Sequence, residues 1–265
     1  MDVPPGMLAA CWSELDSEIG RWRDAGRAVE FWWRDDDAAR PNRALERLLA
    51  LAQKSGVPLA LAVIPAQAEP ALFALLPSGA DVLQHGSDHS NRAAPGEKKT
   101  EYPQAESGDV ALRRLAEGRE RLAKLAGGSL VDVLAPPWNR IAPAVVARLA
   151  GCGIRGLSRY GARRSILAAP GVVEINTHVD IVDWKGGRAF VGAEQALLQA
   201  TRHLAARREG RADAAEPTGW LTHHACHDEN AWAFLAELFE RFRPEQGVRW
   251  KAARELFHTE SNIVR

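Results

Sequence analysis

The stretch Val29-Glu-Phe-Trp-Trp-Arg-Asp-Asp-Asp-Ala38 decides the fold prediction for this chain. Its apolar and aromatic residues up to Trp33 indicate a strand that is packed on both faces, as in a parallel sheet. Three consecutive carboxylates, Asp35, Asp36 and Asp37, follow at the predicted carboxyl end of this strand. Adjacent carboxylates repel one another, so a cation or a proton is expected among them.

Strands and helices alternate from this stretch to the end of the chain. Six further apolar segments are predicted to be strands, at residues 57–64, 81–84, 131–135, 153–158, 172–176 and 220–222. The helical periodicity between most of them predicts an α/β fold with parallel strands joined by helical crossovers. Seven strands without a glycine-rich fingerprint favour a barrel over a dinucleotide-binding sheet.

Composition and length limit the class of protein. We expect one domain over residues 1–265, with a leading helix at 7–25 and a motif-bearing barrel at 28–258. The 34 basic and 34 acidic residues balance, so neither nucleic acid nor a membrane surface is an expected partner. No signal peptide or membrane-spanning run is predicted, and three distant cysteines indicate a reducing compartment, so we expect a cytoplasmic protein. The sequence indicates no particular oligomeric state.

Two histidines follow the third predicted strand. His85 and His89 are four residues apart, which lets both imidazoles face one ion. Asp36 or Asp37 can add a carboxylate from the neighbouring strand end, giving a zinc site with an open position for water. The alternative is a pair of solvated loop histidines.

A second histidine-rich stretch, Trp220-Leu-Thr-His-His-Ala-Cys-His-Asp-Glu229, ends the last predicted strand. A histidine at this position is well placed to act as a general acid opposite a base on the first strand. Metal binding by His223, His224, Cys226 or His227 is the alternative, although the spacing does not match a closed structural zinc site.

Two further stretches carry tryptophans at strand ends. In Leu134-Ala-Pro-Pro-Trp-Asn-Arg140, two prolines fix the backbone and Trp138 can form an apolar wall. In His178-Val-Asp-Ile-Val-Asp-Trp184, Asp180 or Asp183 can orient a histidine. The alternatives are a rigid turn in the first stretch and a loop with two solvated acids in the second.

These stretches occur in the order of the five motifs of the polysaccharide deacetylase family, also called the NodB homology or carbohydrate esterase family 4 group. The chain resembles that family over residues 29–230. The resemblance implies a distorted (β/α)7 barrel, similar to a TIM barrel, which agrees with the strand count. It also implies a metal-dependent hydrolase that removes an acetyl or other acyl group from an N-acetylated sugar or a related amide.

The resemblance assigns roles to individual residues. Asp36 corresponds to the catalytic base, and Asp37, His85 and His89 correspond to the metal ligands. The histidine and aspartate ligands favour Zn²⁺, with Co²⁺, Ni²⁺ or Fe²⁺ as alternatives. Asp35 has no counterpart in this scheme and is expected to be a spare acid.

The general acid corresponds to His223, with a one-residue shift to His224 as the alternative. Its aspartate partner corresponds to Asp183. The expected contacts with a small-molecule or glycan substrate are Pro137, Trp138, Arg140 and Trp184.

The chain departs from the family pattern in its third motif. Ala135 stands where the family has an arginine that tethers the catalytic base. We expect Arg34 or Arg140 to supply this charge. The two alternatives to an enzyme are a carbohydrate-binding or structural barrel that kept the metal site but lost turnover, and an interaction protein whose histidines are incidental.

Overall fold

The computed structural model describes residues 5–106, 108–243 and 248–261. Its helices are α1 (Pro5–Asp24), α2 (Arg43–Ser55), α3 (Pro70–Ala74), α4 (Gly108–Ala126), α5 (Pro143–Val146), α6 (Ala193–Arg208), α7 (Glu229–Arg241) and α8 (Ala253–Ser261). Its strands are β1 (Val29–Ala38), β2 (Leu59–Val63), β3 (Asp81–His85), β4 (Leu130–Ala135), β5 (Gly156–Leu157), β6 (Leu167–Ala169), β7 (Val172–Glu174), β8 (Val179–Asp180), β9 (Val182–Asp183), β10 (Ala189–Phe190), β11 (Thr218–Thr222) and β12 (Val248–Trp250).

Most strands lie in one sheet with the order β6-β7-β5-β4-β3-β2-β1-β11-β8, and β12 pairs with the start of β1. The strands are parallel except at the β6 edge, where β6 runs antiparallel to β7. In the centre, Trp33 of β1 pairs with Leu59 of β2 on one side and Trp220 of β11 on the other. The α/β class predicted from the alternating pattern is confirmed.

One segment, residues 172–180, connects the two sides of the sheet. Its start, β7, pairs with β5, and its end, β8, pairs with β11. Between them, the Thr177 amide donates to the Arg159 carbonyl, and the His178 amide donates to the Gly219 carbonyl. Together with this segment, β1 to β5 and β11 form the seven parallel strands of a distorted barrel, as predicted.

Side chains of β1 alternate between two layers of the fold. Trp32 belongs to the apolar cluster inside the barrel. Trp33 belongs to the larger cluster between the sheet and the helices. Because a strand has a period of two, Arg34 and Asp36 continue the inner face, whereas Asp35 continues the outer face.

The helices around the barrel begin and end at local signals. Asn42 caps α2 by accepting the Leu45 amide at 2.9 Å, and Gly56 ends it with φ 69°. The predicted leading helix is observed as α1, and its Trp22 indole donates to the Leu204 carbonyl of α6 at 3.2 Å. Within the described residues, no helix has the length and apolar character needed to cross a membrane.

Candidate metal centre and active site

Asp37, His85 and His89 come together at the carboxyl ends of β1 and β3. Oδ1 of Asp37 lies 3.0 Å from His85 Nε2 and 3.2 Å from His89 Nε2. His85 Nδ1 lies 2.9 Å from the Ala135 carbonyl oxygen, so this ring nitrogen carries a proton and donates it. The neutral His85 ring then presents its Nε2 lone pair to Asp37, which is the orientation of a metal-binding histidine.

The electrostatics of this cluster favour positive charge at its centre. Burial raises the pKa of Asp37, but His85 and His89 outweigh burial and hold it well below its usual range. Burial lowers the pKa of His85, but Asp36 and Asp37 raise it overall. Positive charge at the centre can come from protons on the imidazoles or from a metal ion that replaces those protons. One carboxylate oxygen and two imidazole nitrogens are ligands that suit zinc, with a fourth position open for water.

Backbone strain is concentrated around the same cluster. Asp37 and His89 have φ values of 69° and 59°, and the adjacent Trp138 and Asn139 each have φ 56°. Non-glycine residues seldom adopt this left-handed region, and such strain occurs most often at functional sites. A register shift between β1 and β2 at the end of β1 accompanies the turn at Asp37, which lets consecutive aspartates face the same site.

Asp36 is held by Arg34, and both side chains are buried. Arg34 Nε lies 2.8 Å from Oδ1 of Asp36, and an Nη2 hydrogen bond of 3.0 Å reaches Oδ2. The remaining guanidinium donors bond Ser158 and Asn139. Arg140, the other candidate for this charge, is exposed and donates to the Lys99 carbonyl at 3.0 Å. Arg34, and not Arg140, is therefore the arginine that holds the Asp36 carboxylate in place.

His223 lies across the site from the metal cluster. Its Nε2 is 4.0 Å from Oδ2 of Asp36, and its ring packs edge-on against Trp184 with 4.7 Å between centroids. Its Nδ1 is buried and has no hydrogen-bond partner among the described residues. The predicted acid and base are thus brought together.

The predicted partner of this histidine, Asp183, needs correction. Asp183 turns back on its own hairpin and accepts the amides of Lys185 at 3.0 Å and Gly186 at 2.8 Å. Asp180 is the acid beside His223: burial raises its pKa, and the nearby His223 acts to lower it. Its Oδ2 also accepts the Trp184 indole at 2.8 Å. The sequence offered both aspartates, and the strand register of β8 selects the first.

Asp35, expected to be a spare acid, has partners as well. It is fully buried and accepts the Thr222 hydroxyl at 2.6 Å, the His224 amide at 2.9 Å and the His224 Nδ1 proton at 2.5 Å. Burial raises the pKa of Asp35, but His224 lowers it overall, and Asp35 in turn raises the pKa of His224. The two adjacent histidines therefore have different partners: His224 is held by Asp35, and His223 faces Asp36.

The predicted substrate contacts separate into two groups. Trp138 packs against His89 with 4.6 Å between ring centroids, and Trp184 is 45% exposed beside His223, so the two indoles flank the metal side and the acid side. Pro137 is buried under the turn at Gly86, and Arg140 donates to the Lys99 carbonyl, so the contacts of both residues lie away from the centre.

A second cluster of possible ligands, which the sequence did not indicate, lies at His178, His203 and Glu216. His178 Nδ1 accepts the Gly219 amide at 3.1 Å, so the neutral ring carries its proton on Nε2, 3.3 Å from Glu216 Oε2. Burial lowers the pKa of both stacked histidines and raises that of Glu216 to about 7. Because a protonated nitrogen cannot bind a metal, we assign the candidate metal centre to the first cluster.

Comparison with solved structures gives the same architecture at low identity. A Mycobacterium smegmatis protein provisionally assigned as a polysaccharide deacetylase aligns with TM-score 0.61 and 14% identity over 90% of this chain and 92% of its own. A family 4 acetyl xylan esterase from Clostridium thermocellum, in complex with a cobalt ion, gives 0.54 and 16% over 89% and 96%.

A variant of BA3943, a family 4 pseudoenzyme with restored enzymatic activity, aligns with TM-score 0.56 and 16% identity over 87% of this chain and 67% of its own. A scan against protein-family models and a comparison with curated proteins each give no match. The chain thus has the fold of the polysaccharide deacetylases and family 4 carbohydrate esterases, the group that its five sequence motifs resemble.

Proposed function

We propose that this protein is a metal-dependent hydrolase that removes an acetyl or other acyl group from an N-acetylated sugar or a related small amide. The proposal rests on an acid–base pair that lies next to a candidate metal site. A buried carboxylate and a histidine face each other at 4.0 Å, beside three side chains suited to a divalent ion. A cytoplasmic location and a small-molecule or glycan-precursor substrate are part of the proposal.

Asp37, His85 and His89 would hold the metal, with Zn²⁺ as the first choice and Co²⁺, Ni²⁺ or Fe²⁺ as alternatives. When bound, the ion would polarise the scissile carbonyl and lower the pKa of a water molecule. Asp36, kept in place by Arg34, is the group that accepts the proton of the attacking water. His223 donates a proton to the leaving amine or alcohol.

Two tryptophans complete this arrangement. Trp138 lies against His89 and Trp184 against His223, so a substrate that reaches both the metal ligands and the acid passes between two indoles. Indole faces are suited to the apolar face of a sugar ring or to an acyl methyl group, and they exclude water from the reacting atoms.

A barrel that binds metal but does not turn over is the second candidate, because Ala135 replaces the family's tethering arginine. One similar structure, BA3943, is described as a pseudoenzyme whose activity was restored in a variant. The contact between Arg34 and Asp36 favours the active enzyme, since a guanidinium is present at the base despite Ala135.

Metal analysis of the purified protein, combined with acetate release from a panel of acetylated sugars and amides, tests the proposal. We expect His85→Ala to remove both the bound metal and the acetate release, whereas His258→Ala, at an exposed histidine of α8, changes neither. Metal without release from any substrate would favour the inactive barrel. Full activity in metal-stripped His85→Ala protein would disprove the metal mechanism.

A further inference from the structure

A buried carboxylate lies behind the turn that carries the second metal-binding histidine. Glu101 is 0% exposed, although it belongs to the long polar loop that precedes α4. Its Oε1 accepts the amides of Ser87 at 2.9 Å and Asp88 at 3.0 Å, and its Oε2 accepts the amide of His89 at 3.3 Å. Residues 86–89 are here called the metal turn. Three consecutive amides of this turn, those of residues 87–89, therefore bond to one side chain.

The metal turn needs this support because of its backbone conformation. It begins at Gly86 with φ 61° and ends at His89 with φ 59°, and a left-handed non-glycine residue is strained and persists only where its surroundings impose it. His85, by contrast, ends β3 and is fixed by its strand and by the Ala135 carbonyl. Among the described residues, Glu101 is the side chain that accepts the amide of His89.

The surroundings of Glu101 hold its carboxylate in place. A side chain at Gly86 would overlap Oε2 of Glu101 and the ring of Pro137, so the carboxylate occupies the space that the missing Cβ leaves. Arg92 Nη1 lies 3.7 Å from Oε1, while the same guanidinium bonds both oxygens of Asp88 at 2.9 and 2.6 Å. Amides bonded to an ionised acceptor are held more strongly than those bonded to a neutral one.

We propose that Glu101 is a positioning residue for the metal ligand His89. Its carboxylate fixes the left-handed backbone of the metal turn, so that His89 Nε2 is already directed at Asp37 before an ion arrives. The inference rests on the proposed metal centre, but it concerns how tightly the ion binds and not which reaction follows. Outer residues that orient a ligand typically change metal affinity by about 10–100-fold when they are replaced.

The test is Zn²⁺ titration of metal-stripped wild-type, Glu101→Gln and Glu97→Gln proteins by calorimetry. Glutamine is close in shape to glutamate, but it presents an NH₂ group to one of the amides and removes the negative charge. We expect Glu101→Gln to weaken Zn²⁺ binding by about 10–100-fold. Glu97 is the matched control, since it is exposed in the same loop and, within the part of the chain that the structure describes, accepts a single amide, that of Ala94 at 3.3 Å. Its substitution should leave Zn²⁺ affinity unchanged.

Two further measurements separate positioning from general stability. Glu101→Asp keeps the charge but is one methylene shorter, so it cannot reach all three amides, and we expect it to weaken Zn²⁺ binding as well. Hydrogen exchange in the metal-free proteins should be slow at the amides of residues 87–89 in the wild type and faster in whichever variant folds. A lower melting temperature with unchanged Zn²⁺ affinity, or fast exchange at these amides in the wild type, would overturn the inference. Failure of the wild type to bind Zn²⁺ would overturn the metal centre first.

Discussion

Arg34 and Asp36 stand two residues apart on one strand, so their side chains leave the same face of β1. The family that the motifs resemble takes this arginine from a different strand end, and here Ala135 occupies that position. A buried carboxylate that loses its cation is left uncompensated, which makes the pair far more sensitive than an exposed ion pair. The local pair thus supplies the restraint on the proposed base that the third motif lacks.

Replacing Arg34 by lysine should reduce turnover because a lysine cannot span Asp36, Ser158 and Asn139 at once. We expect kcat to fall about 10²–10⁴-fold, the range that a positioned acid–base group contributes. Arg140→Lys, at the exposed arginine, should change kcat less than about threefold. Steady-state kinetics of both variants decide between the two arginines, and equal effects would contradict the assignment to Arg34.

The two aspartates beside Trp184 should also differ in kinetics. Asp180→Asn should lower kcat about 10²–10³-fold, because Asp180 is the acid that interacts electrostatically with His223. Asp183→Asn removes an acceptor of two hairpin amides and should mainly lower the melting temperature. The pair of variants is compared by kcat and by thermal unfolding, and a large kcat loss in Asp183→Asn alone would restore the original assignment.

At the scale of elements, Asp35 joins β1 to the turn after β11. The Trp33 indole donates to Thr222 at 2.9 Å, Thr222 donates to Asp35, and His224 donates to Asp35 twice. This network fixes the residues on either side of His223. It therefore links the end of β1 to the position of the proposed acid.

The stability of this joint should depend on pH. Asp35 has a lowered pKa, so its contribution is present above its unfolded value of about 3.9 and is lost as the pH falls through the folded value. His224 has a raised pKa, so its contribution is present below about 6.5 and is lost as the pH rises through the folded value. The charged pair therefore stabilises the fold most between about pH 4 and pH 6.5.

Urea denaturation of metal-free protein tests this dependence. We expect Asp35→Asn to lower the free energy of unfolding by about 3 kcal/mol near pH 5.5 and by less at high pH, where His224 is neutral. Asp24→Asn, at the exposed end of α1, serves as the control and should show no such trend. A loss that does not vary with pH would show that the charges are unimportant.

Prediction from sequence was most accurate for the barrel strands and least accurate for the short hairpin that follows β8. The seven barrel strands follow from apolar runs such as 57–64. The two-residue strands β9 and β10 carry too little periodicity to be recognised, and that hairpin is what captures Asp183. Asp35 was missed for another reason: its partner lies 189 residues away, and the strand pairing that joins them is not visible in either stretch alone.

On the scale of the whole molecule, the barrel depends on a close approach between residues 172–180 and β11. The Trp32 indole donates to the Asn176 carbonyl at 3.0 Å across this junction. A Cβ added at Gly219 would lie 2.7 Å from that carbonyl oxygen and 2.8 Å from Thr177 Cα, both of them backbone atoms that cannot rotate away. The absence of a side chain at Gly219 therefore lets the sides of the barrel meet.

Gly219→Ala should destabilise the protein by about 1–3 kcal/mol through overpacking. Gly128→Ala is the matched control, because a Cβ there meets nothing within 4 Å. The two variants are compared by their melting temperatures, and a stable Gly219→Ala protein would mean that the junction can widen without cost. Loss of acetate release in this variant at temperatures where it remains folded would show that closure also sets the distance between acid and base.

The segment of residues 172–180 also separates the site into an earlier and a later part of the sequence. All three candidate metal ligands, the proposed base with its arginine, and Trp138 come from residues 34–138, whereas His223, Asp180 and Trp184 come from residues 180–223. During synthesis from the N-terminus, the ion-binding half therefore leaves the ribosome long before the proton-donating half. In the proposed mechanism, a nascent chain can thus acquire its ion while the site still lacks the group that protonates a leaving amine, and hydrolysis begins only when β11 pairs with β1.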